Sequence, residues 1–194
     1  MPKVRVVAEK LYRVLGAGPI CVLTIEEEDK FTATPVAWMM PCSFDPPMVA
    51  VAVAPERFFF EIFNSQLKKR GVARWVINVP APDHLELVMK LGSKSGKVFD
   101  KSKLLSLERV EVKTASDNAK FPIISDFPIN VAVESKTQNF FKTGDHLIIS
   151  GSILTGWAER GTLDNVGIVY PDNLKLPHHA GSNKFLISTN LIEA

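Results

Sequence analysis

Met48-Val-Ala-Val-Ala-Val-Ala54 alternates bulky valines at 49, 51 and 53 with Met48 and with alanines at 50, 52 and 54. Both faces of such a strand are apolar, so it is buried on both sides, and one face is held small where something packs closely. Pro55 stops it. Downstream, Glu56 to Leu67 places Phe59, Ile62 and Phe63 on one helical face. Lys68-Lys69-Arg70-Gly71 closes that helix with cations at the negative end of its dipole and a glycine cap. Ala73, Trp75, Ile77 and Val79 alternate in the next strand, and Pro82 opens a short helix with Leu85, Val88 and Met89 inward, ended by Gly92. Upstream, Pro19 to Ile25 reads as a strand, Glu26 to Lys30 as a polar turn, and Phe31 to Trp38 as the returning strand of a hairpin. Val4, Val7, Ala8, Leu11, Val14 and Leu15 form a helical stripe that ends at Gly16, with residues 4–7 equally readable as strand.

Residues 92–126 are polar and poorly periodic, which reads as a long functional or lid-like excursion. Ile129, Val131 and Val133 alternate, as do Leu147, Ile149, Gly151 and Ile153. A stretch rich in Pro, Gly, Asn and His (171–183) precedes a last strand, Lys184 to Thr189. About seven strands cluster instead of alternating with helices, so the chain is mainly β with helical additions, an antiparallel barrel and not a doubly wound sheet. The 194 residues form a single domain, 1–194.

Composition narrows the function classes. Hydrophobic residues make up 46% and charged residues 23%, which is globular and not disordered. The longest apolar run, between Pro46 and Pro55, is far shorter than the ~20 residues of a membrane helix. Glu9, Lys10 and Arg13 interrupt any secretory core near the N-terminus. Two cysteines, Cys21 and Cys42, have no metal or disulfide spacing, so a reducing cytoplasm is expected. A net charge of +2 is too small to argue for nucleic acid.

Several clusters invite chemistry, each with a structural alternative. Gly92-Ser-Lys-Ser-Gly-Lys97 lacks the spacing and the Ser/Thr of a nucleotide P-loop. Its flexible N–H groups, with Lys94, Ser95, Lys97 and Lys101, suit a phosphate monoester or diphosphate, or else form a solvated basic loop. Thr32-Ala-Thr-Pro-Val-Ala-Trp38 and Pro41-Cys-Ser-Phe-Asp-Pro-Pro47 suit close approach of an aromatic ligand, walled by Trp38 and Phe44 and hydrogen-bonded by Cys42 and Ser43. They read equally as a proline-bent strand and turn. His146 begins a strand and either serves a ligand as proton donor or is a turn histidine satisfied by backbone. Cys42 reads as a buried inert thiol more readily than as a redox group. Adjacent His178 and His179 point apart on a strand and make no metal site. Trp75 with Arg74, and Phe140-Phe141-Lys142, are the only stacking-plus-cation pairs that a single-stranded nucleic-acid barrel could use.

Taken in order, these segments resemble a known family. Pro19-x-Cys-Val-Leu-Thr24, Thr34-Pro-Val-Ala-Trp38, Cys42-Ser-Phe-Asp-Pro-Pro-Met-Val49 and Arg57 are similar to the flavin reductase-like, FMN-binding split-barrel proteins of the flavoredoxin and ferric reductase-like branch. So are Val76-Ile-Asn-Val-Pro80, Gly92-x3-Gly96 with Asp100-Lys101, and Gly144-Asp-His146. The match runs over roughly residues 15–190. Leu176 to Asn183 departs from the family pattern, and no contact is carried over to it.

The resemblance implies a six-stranded Greek-key split β-barrel, a homodimer with FMN near the subunit interface. By the same resemblance Thr34, Pro35, Val36, Ala37 and Trp38 lie along the flavin ring. Ser43 and Arg57 hold the ribityl-phosphate side, Ser95, Gly96, Lys97 and Lys101 add phosphate contacts, and Cys42 and Asn78 belong to the cofactor set. His146 is the candidate catalytic residue. The implied activity is an oxidoreductase that passes electrons from NADH or NADPH through bound flavin to free flavin, a ferric chelate or a redox partner protein. A flavin-storing or one-electron relay protein, and an OB-like nucleic-acid module without flavin, are the alternatives. No metal, nucleic acid or membrane is expected.

Overall fold

The computed structural model describes residues 16, 18–164, 167, 169, 172, 174–190 and 192. The helical stripe read between Val4 and Leu15 lies outside them. The chain folds as a split barrel. Its main sheet runs in the order β2 (Lys30–Val36), β1 (Cys21–Glu27), β5 (Val72–Val79), β8 (Ile129–Lys136), β10 (His146–Ala158), β4 (Pro47–Val53) and β3 (Met39–Phe44), with β9 (Phe140–Thr143) also paired to β10. All these pairings are antiparallel. β10 is long enough to pair with β4 through Leu147–Ser152 and with β8 through Ser152–Ala158, which bends the sheet toward closure. β2 and β4 come beside one another without a ladder, and that is the split.

The alternation in β4 predicts its two environments. Val49, Val51 and Val53 enter the main core with Leu23, Ile25, Trp75 and Ile149, while Ala50 and Ala52 face cavities on the other side. Helix α1 (Phe58–Arg70) closes the barrel with Phe59, Ile62, Phe63 and Leu67, all buried. It stops at Gly71, whose φ of +73° suits glycine and whose N–H donates to the Leu67 carbonyl at 2.8 Å. The basic last turn is anchored, with Lys69 on Glu28 at 2.6 Å and Arg70 on Glu27 at 3.1 Å.

Three expectations change. After a single 3-10 turn (Pro82–His84), helix α2 (Leu85–Ser93) buries Val88 and Leu91, and Met89 faces out at 41% exposure. The helix starts at Leu85, so its inward stripe is 85/88/91 and Met89 falls on the rim. The excursion 92–126 holds a 3-10 turn (Lys101–Leu104) and a hairpin of β6 (Leu107–Lys113) and β7 (Asn118–Ile124). Val112, Ala119, Phe121 and Ile123 of that hairpin pack on Val76 and Ala132, covering the outer face of the sheet. Only Val112 of β6 is buried, so its sequence shows too little apolar alternation to read as a strand. The stretch 171–183 contributes β11 (Pro177–Gly181), which pairs with β12 (Lys184–Ile187). The hairpin is tied to the start of β1 by Ile20 N–H donating to the Pro177 carbonyl at 2.8 Å.

Asn78 sits in the middle of this framework, fully buried. Its Nδ2 donates to the Val22 carbonyl and Thr24 Oγ1, each at 2.9 Å, and its Oδ1 accepts from Ile124 N–H at 2.8 Å and Asn130 Nδ2 at 2.9 Å. Trp75 is equally buried, with its indole N–H on Ser135 Oγ at 3.0 Å, and Arg74 is locked to Asp117 and Glu134. The Arg74–Trp75 pair therefore offers no stacking surface to a nucleic acid.

Candidate functional site

The proline in β2 and the small face of β4 open a trough where the barrel is split. Its wider end is a cavity of about 580 Å³, walled by Thr34, Pro35, Ala52, Val88 and Met89 and by the segment Val36–Ala37–Trp38. His146, the first residue of β10, lies there with its ring 4.8 Å from that of Trp38. Its Nδ1–H donates to Asp145 Oδ1 at 2.7 Å, and this hydrogen bond holds the Asp145 carboxyl below its ordinary range. Nδ1 therefore carries the proton, and Nε2 is the nitrogen left for a ligand.

The second end is a cavity of about 430 Å³ that adjoins the first along Thr34, Pro35, Arg57, Gly92 and Ser93. It is polar: Arg57 stands on its rim just ahead of α1, Lys94, Ser95 and Gly96 come from the loop after α2, and Lys101 closes the floor. Lys101 is only 4% exposed, with Nζ donating to the Ala33 carbonyl at 2.7 Å. Burial, and then the charge of Arg57, push its pKa down to about 8. Thr32 is buried beside it, and its Oγ1 has no hydrogen-bond partner among the described residues. An orphaned buried hydroxyl costs about 1–3 kcal/mol, and this one lies in the wall of the polar cavity. Gly96 lets its loop pack directly on this wall: a Cβ there would meet Thr32 Oγ1 at 2.5 Å and Phe58 Cδ1 at 2.9 Å. One trough thus joins a mainly apolar end beside Trp38 to a polar end with Arg57, Lys94 and Lys101 in its walls.

The structure brings Thr34, Pro35, Val36, Ala37, Trp38, Arg57, Ser95, Gly96, Lys101 and His146 to this trough. Lys97 turns away, its Nζ on Glu61 at 2.9 Å. Asn78 is a hub of the sheet and lines neither cavity. Cys42 and Ser43 lie on edge strand β3, outside both cavities, at a register break between Pro41 and Ser43. Cys42 is exposed, contrary to the buried thiol expected, because β3 is the last strand of the sheet and nothing described covers its outer edge. The buried thiol is Cys21, whose pKa desolvation raises to about 12.

The model of the flavin reductase like domain matches residues 14–175. The chain belongs to this family. An uncharacterised archaeal relative from Archaeoglobus fulgidus is 32% identical over 135 residues, 70% of this chain and 68% of that protein. Two further curated relatives are longer, and the chain spans 52% of one and 25% of the other. Among solved structures, an FMN-binding protein of Thermus thermophilus with bound 1-cyclohex-2-enone is 22% identical, with a TM-score of 0.74 over 100% of this chain and 97% of that one. Flavoredoxin of Methanosarcina acetivorans is 17% identical, with a TM-score of 0.76 over 100% and 95%. These likenesses show the flavin reductase-like split-barrel fold.

Within that fold, sequence reasoning missed Ala52, His179 and Ser182 as trough residues, and it flagged Thr32 only as part of the stretch 32–38. The small face of β4 pointed to Ala52. Alternation on a strand, which sends His178 and His179 to opposite sides, left one imidazole free to face a cavity.

Proposed function

We propose that this flavin reductase-like protein binds FMN in the trough and works as an oxidoreductase, passing electrons from NADH or NADPH to free flavin, a ferric chelate or a protein acceptor. The observation that carries the reading is the pairing of the orphaned Thr32 hydroxyl with Arg57 and Lys101 at one end of a trough whose other end is mainly apolar. These residues fit the cofactor. A phosphate monoester is close to a dianion at neutral pH, and it wants a guanidinium fork, an ammonium and a hydroxyl donor. A planar ring wants the small Ala52 face and the Pro35–Trp38 edge beside it. When bound, FMN supplies hydride acceptance at N5 and onward electron release. Arg57 and Lys101 fix the phosphate, Trp38 limits water at the exposed ring face, and His146 holds a proton on Nδ1 while offering Nε2 to the ligand.

We also propose a cytoplasmic homodimer. Support comes from edge strand β3, where Met40 and Phe44 are 59% and 100% exposed, beside an apolar hollow of about 440 Å³ that includes Trp38, Met39 and Met40. In a dimer built on β3, Cys42 and Ser43 would lie at the interface.

The test is the visible spectrum of the purified protein before and after anaerobic NADH and NADPH. Bound flavin that bleaches promptly supports the reductase. Flavin that stays oxidised moves the assignment to a carrier or relay. A colourless protein that takes up no added FMN defeats the proposal.

Lys101 gives the binding a pH signature. Its folded pKa of about 8 lies below the ordinary 10.5, so the folded chain binds fewer protons than the unfolded one between those values. Apoprotein stability therefore rises with pH through that window, as the cost of burying the ammonium is relieved. Anion binding runs the other way, because the charge it uses is present below pH 8 and lost above it. The phosphate is already close to a dianion at pH 7 and gains little charge above it. FMN affinity is expected to fall roughly tenfold from pH 7 to 9.5, about the 1.4 kcal/mol of one charge interaction, while riboflavin affinity stays flat. Lys101→Met should flatten the FMN profile; a profile unchanged in that variant sinks the assignment.

A further inference from the structure

His179 lines the wide end of the trough, and neither the sequence motifs nor the anion site explains it. It lines the larger cavity with His146, Trp38 and Ala52, and it does not line the smaller, anion-binding one. Its position is fixed. β11 is bonded to the start of β1 through Pro177, Leu176 and Ser188 close the hairpin's base with 2.8 and 3.1 Å bonds, and Phe185 packs against the cluster that contains Ile20, Val22 and Val88. The imidazole itself is held on two sides. Its ring lies 5.5 Å from that of Phe185, and its Nε2 is 3.0 Å from the Ser182 carbonyl. A carbonyl only accepts, so Nε2 carries the hydrogen and donates it. In the neutral ring Nδ1 is then a hydrogen-bond acceptor, and no other hydrogen bond of His179 is present among the described residues.

His146 has the opposite tautomer, with Nδ1–H on Asp145. The wide end therefore carries two imidazoles from two separate elements, each with one nitrogen committed to the protein and one left over. Neither bears on the phosphate. Both bear on whatever stacks at the wide end, and an acceptor nitrogen selects a ring that carries an N–H donor.

We propose that His179 is a specificity-determining residue for the hydride donor, its Nδ1 accepting a hydrogen bond from the carboxamide N–H of the nicotinamide. The inference rests on the oxidoreductase reading above and deepens it. A single such bond in a partly desolvated site is worth about 1–1.5 kcal/mol, or roughly tenfold in affinity.

The experiment compares two oxidised dinucleotides on the FMN-loaded protein, read at equilibrium as perturbation of the flavin spectrum. One is the natural coenzyme whose reduced form bleaches the flavin; the other is its 3-acetylpyridine analogue, which keeps the carbonyl and lacks the N–H. The wild-type protein is expected to bind the carboxamide roughly tenfold more tightly. His179→Phe, which keeps a ring against Phe185, should close that gap. His179→Asn, whose Oδ1 stands near the Nδ1 position, should keep it. FMN affinity is measured in both variants, and a loss there assigns Nδ1 to the flavin and not to the nicotinamide. The corresponding change with the reduced coenzyme belongs in KM, with kcat little altered. If His179→Phe does not fold, His179→Gln, whose amide reaches the Nε2 position instead, should close the gap in its place.

No gap in the wild-type protein, a gap that persists in His179→Phe, equal weakening of both dinucleotides, loss of the gap in His179→Asn, or a loss of FMN affinity each overturns the assignment. If neither NADH nor NADPH bleaches the flavin, the parent reading fails and takes this one with it. If one does and the variants behave as wild type, this inference alone fails.

Discussion

Arg57→Ala is expected to lower FMN affinity by roughly two orders of magnitude and to leave riboflavin affinity nearly unchanged. Arg57 sits where β4 hands over to α1, on the rim shared by both ends of the trough. It is exposed in the described chain, so its removal leaves no cavity and no unpaired buried group, and the fold should survive. Its contribution is to a charge-assisted bond, and such bonds are worth about 1.5–3 kcal/mol, or roughly 10- to 150-fold in binding. The upper part of that range applies here because Lys101, which shares the site with Lys94, is weakened by its own burial. Arg57→Lys should recover only part of the loss, since an ammonium cannot make the paired contacts of a guanidinium. The measurement is titration of apoprotein with FMN and with riboflavin, followed by flavin fluorescence. Equal losses for both flavins would mean that Arg57 supports the trough and not the phosphate.

What the sequence makes legible here depends on how local the physics is. The valine and alanine faces of β4, the aromatic stripe of α1 and its glycine stop are local periodicities, and they lie where they are read. The β6–β7 hairpin is not, because β6 sends only Val112 and the half-buried Val110 against this face of the sheet and charges interrupt the pattern. Its partner surface, Val76 and Ala132, is supplied by strands far away in sequence. The site divides in the same way. Trp38, Arg57, Lys101 and His146 stand at turns or strand ends with recognisable neighbours and meet in one trough. Thr32 is one hydroxyl among several in Thr32-Ala-Thr-Pro, and only the tertiary fold shows that its Oγ1 is buried and unpartnered while Thr34 lies two residues along the same face. His179 is reached through a hairpin whose docking on Ile20 no spacing announces.

Asn78 shows the same limit from the other side, and it carries the largest stability effect. A family motif draws attention to Val76-Ile-Asn-Val-Pro80, but the side chain joins β1, β5, β7 and β8 by four hydrogen bonds in a site with no solvent exposure. Asn78→Ala removes all four and leaves the Ile124 N–H and the Val22 carbonyl without that partner. Each orphaned group costs about 1–3 kcal/mol, and the small cavity adds to it. A total loss of about 3–5 kcal/mol is expected, a large share of the roughly 5–15 kcal/mol that holds a domain of this kind together. In thermal unfolding that corresponds to a fall in Tm of roughly 6–20 °C for a chain of this length. Flavin binding separates the two roles the residue could have. Measured at a temperature where the variant is still folded, FMN affinity should stay within about twofold of wild type, because Asn78 lines neither end of the trough. A variant that keeps its Tm but loses FMN would place Asn78 in the cofactor site and make its four bonds incidental. The expected pattern is the reverse, a polar hub that registers the β6–β7 hairpin against the barrel and so fixes the sheet on which the trough is built.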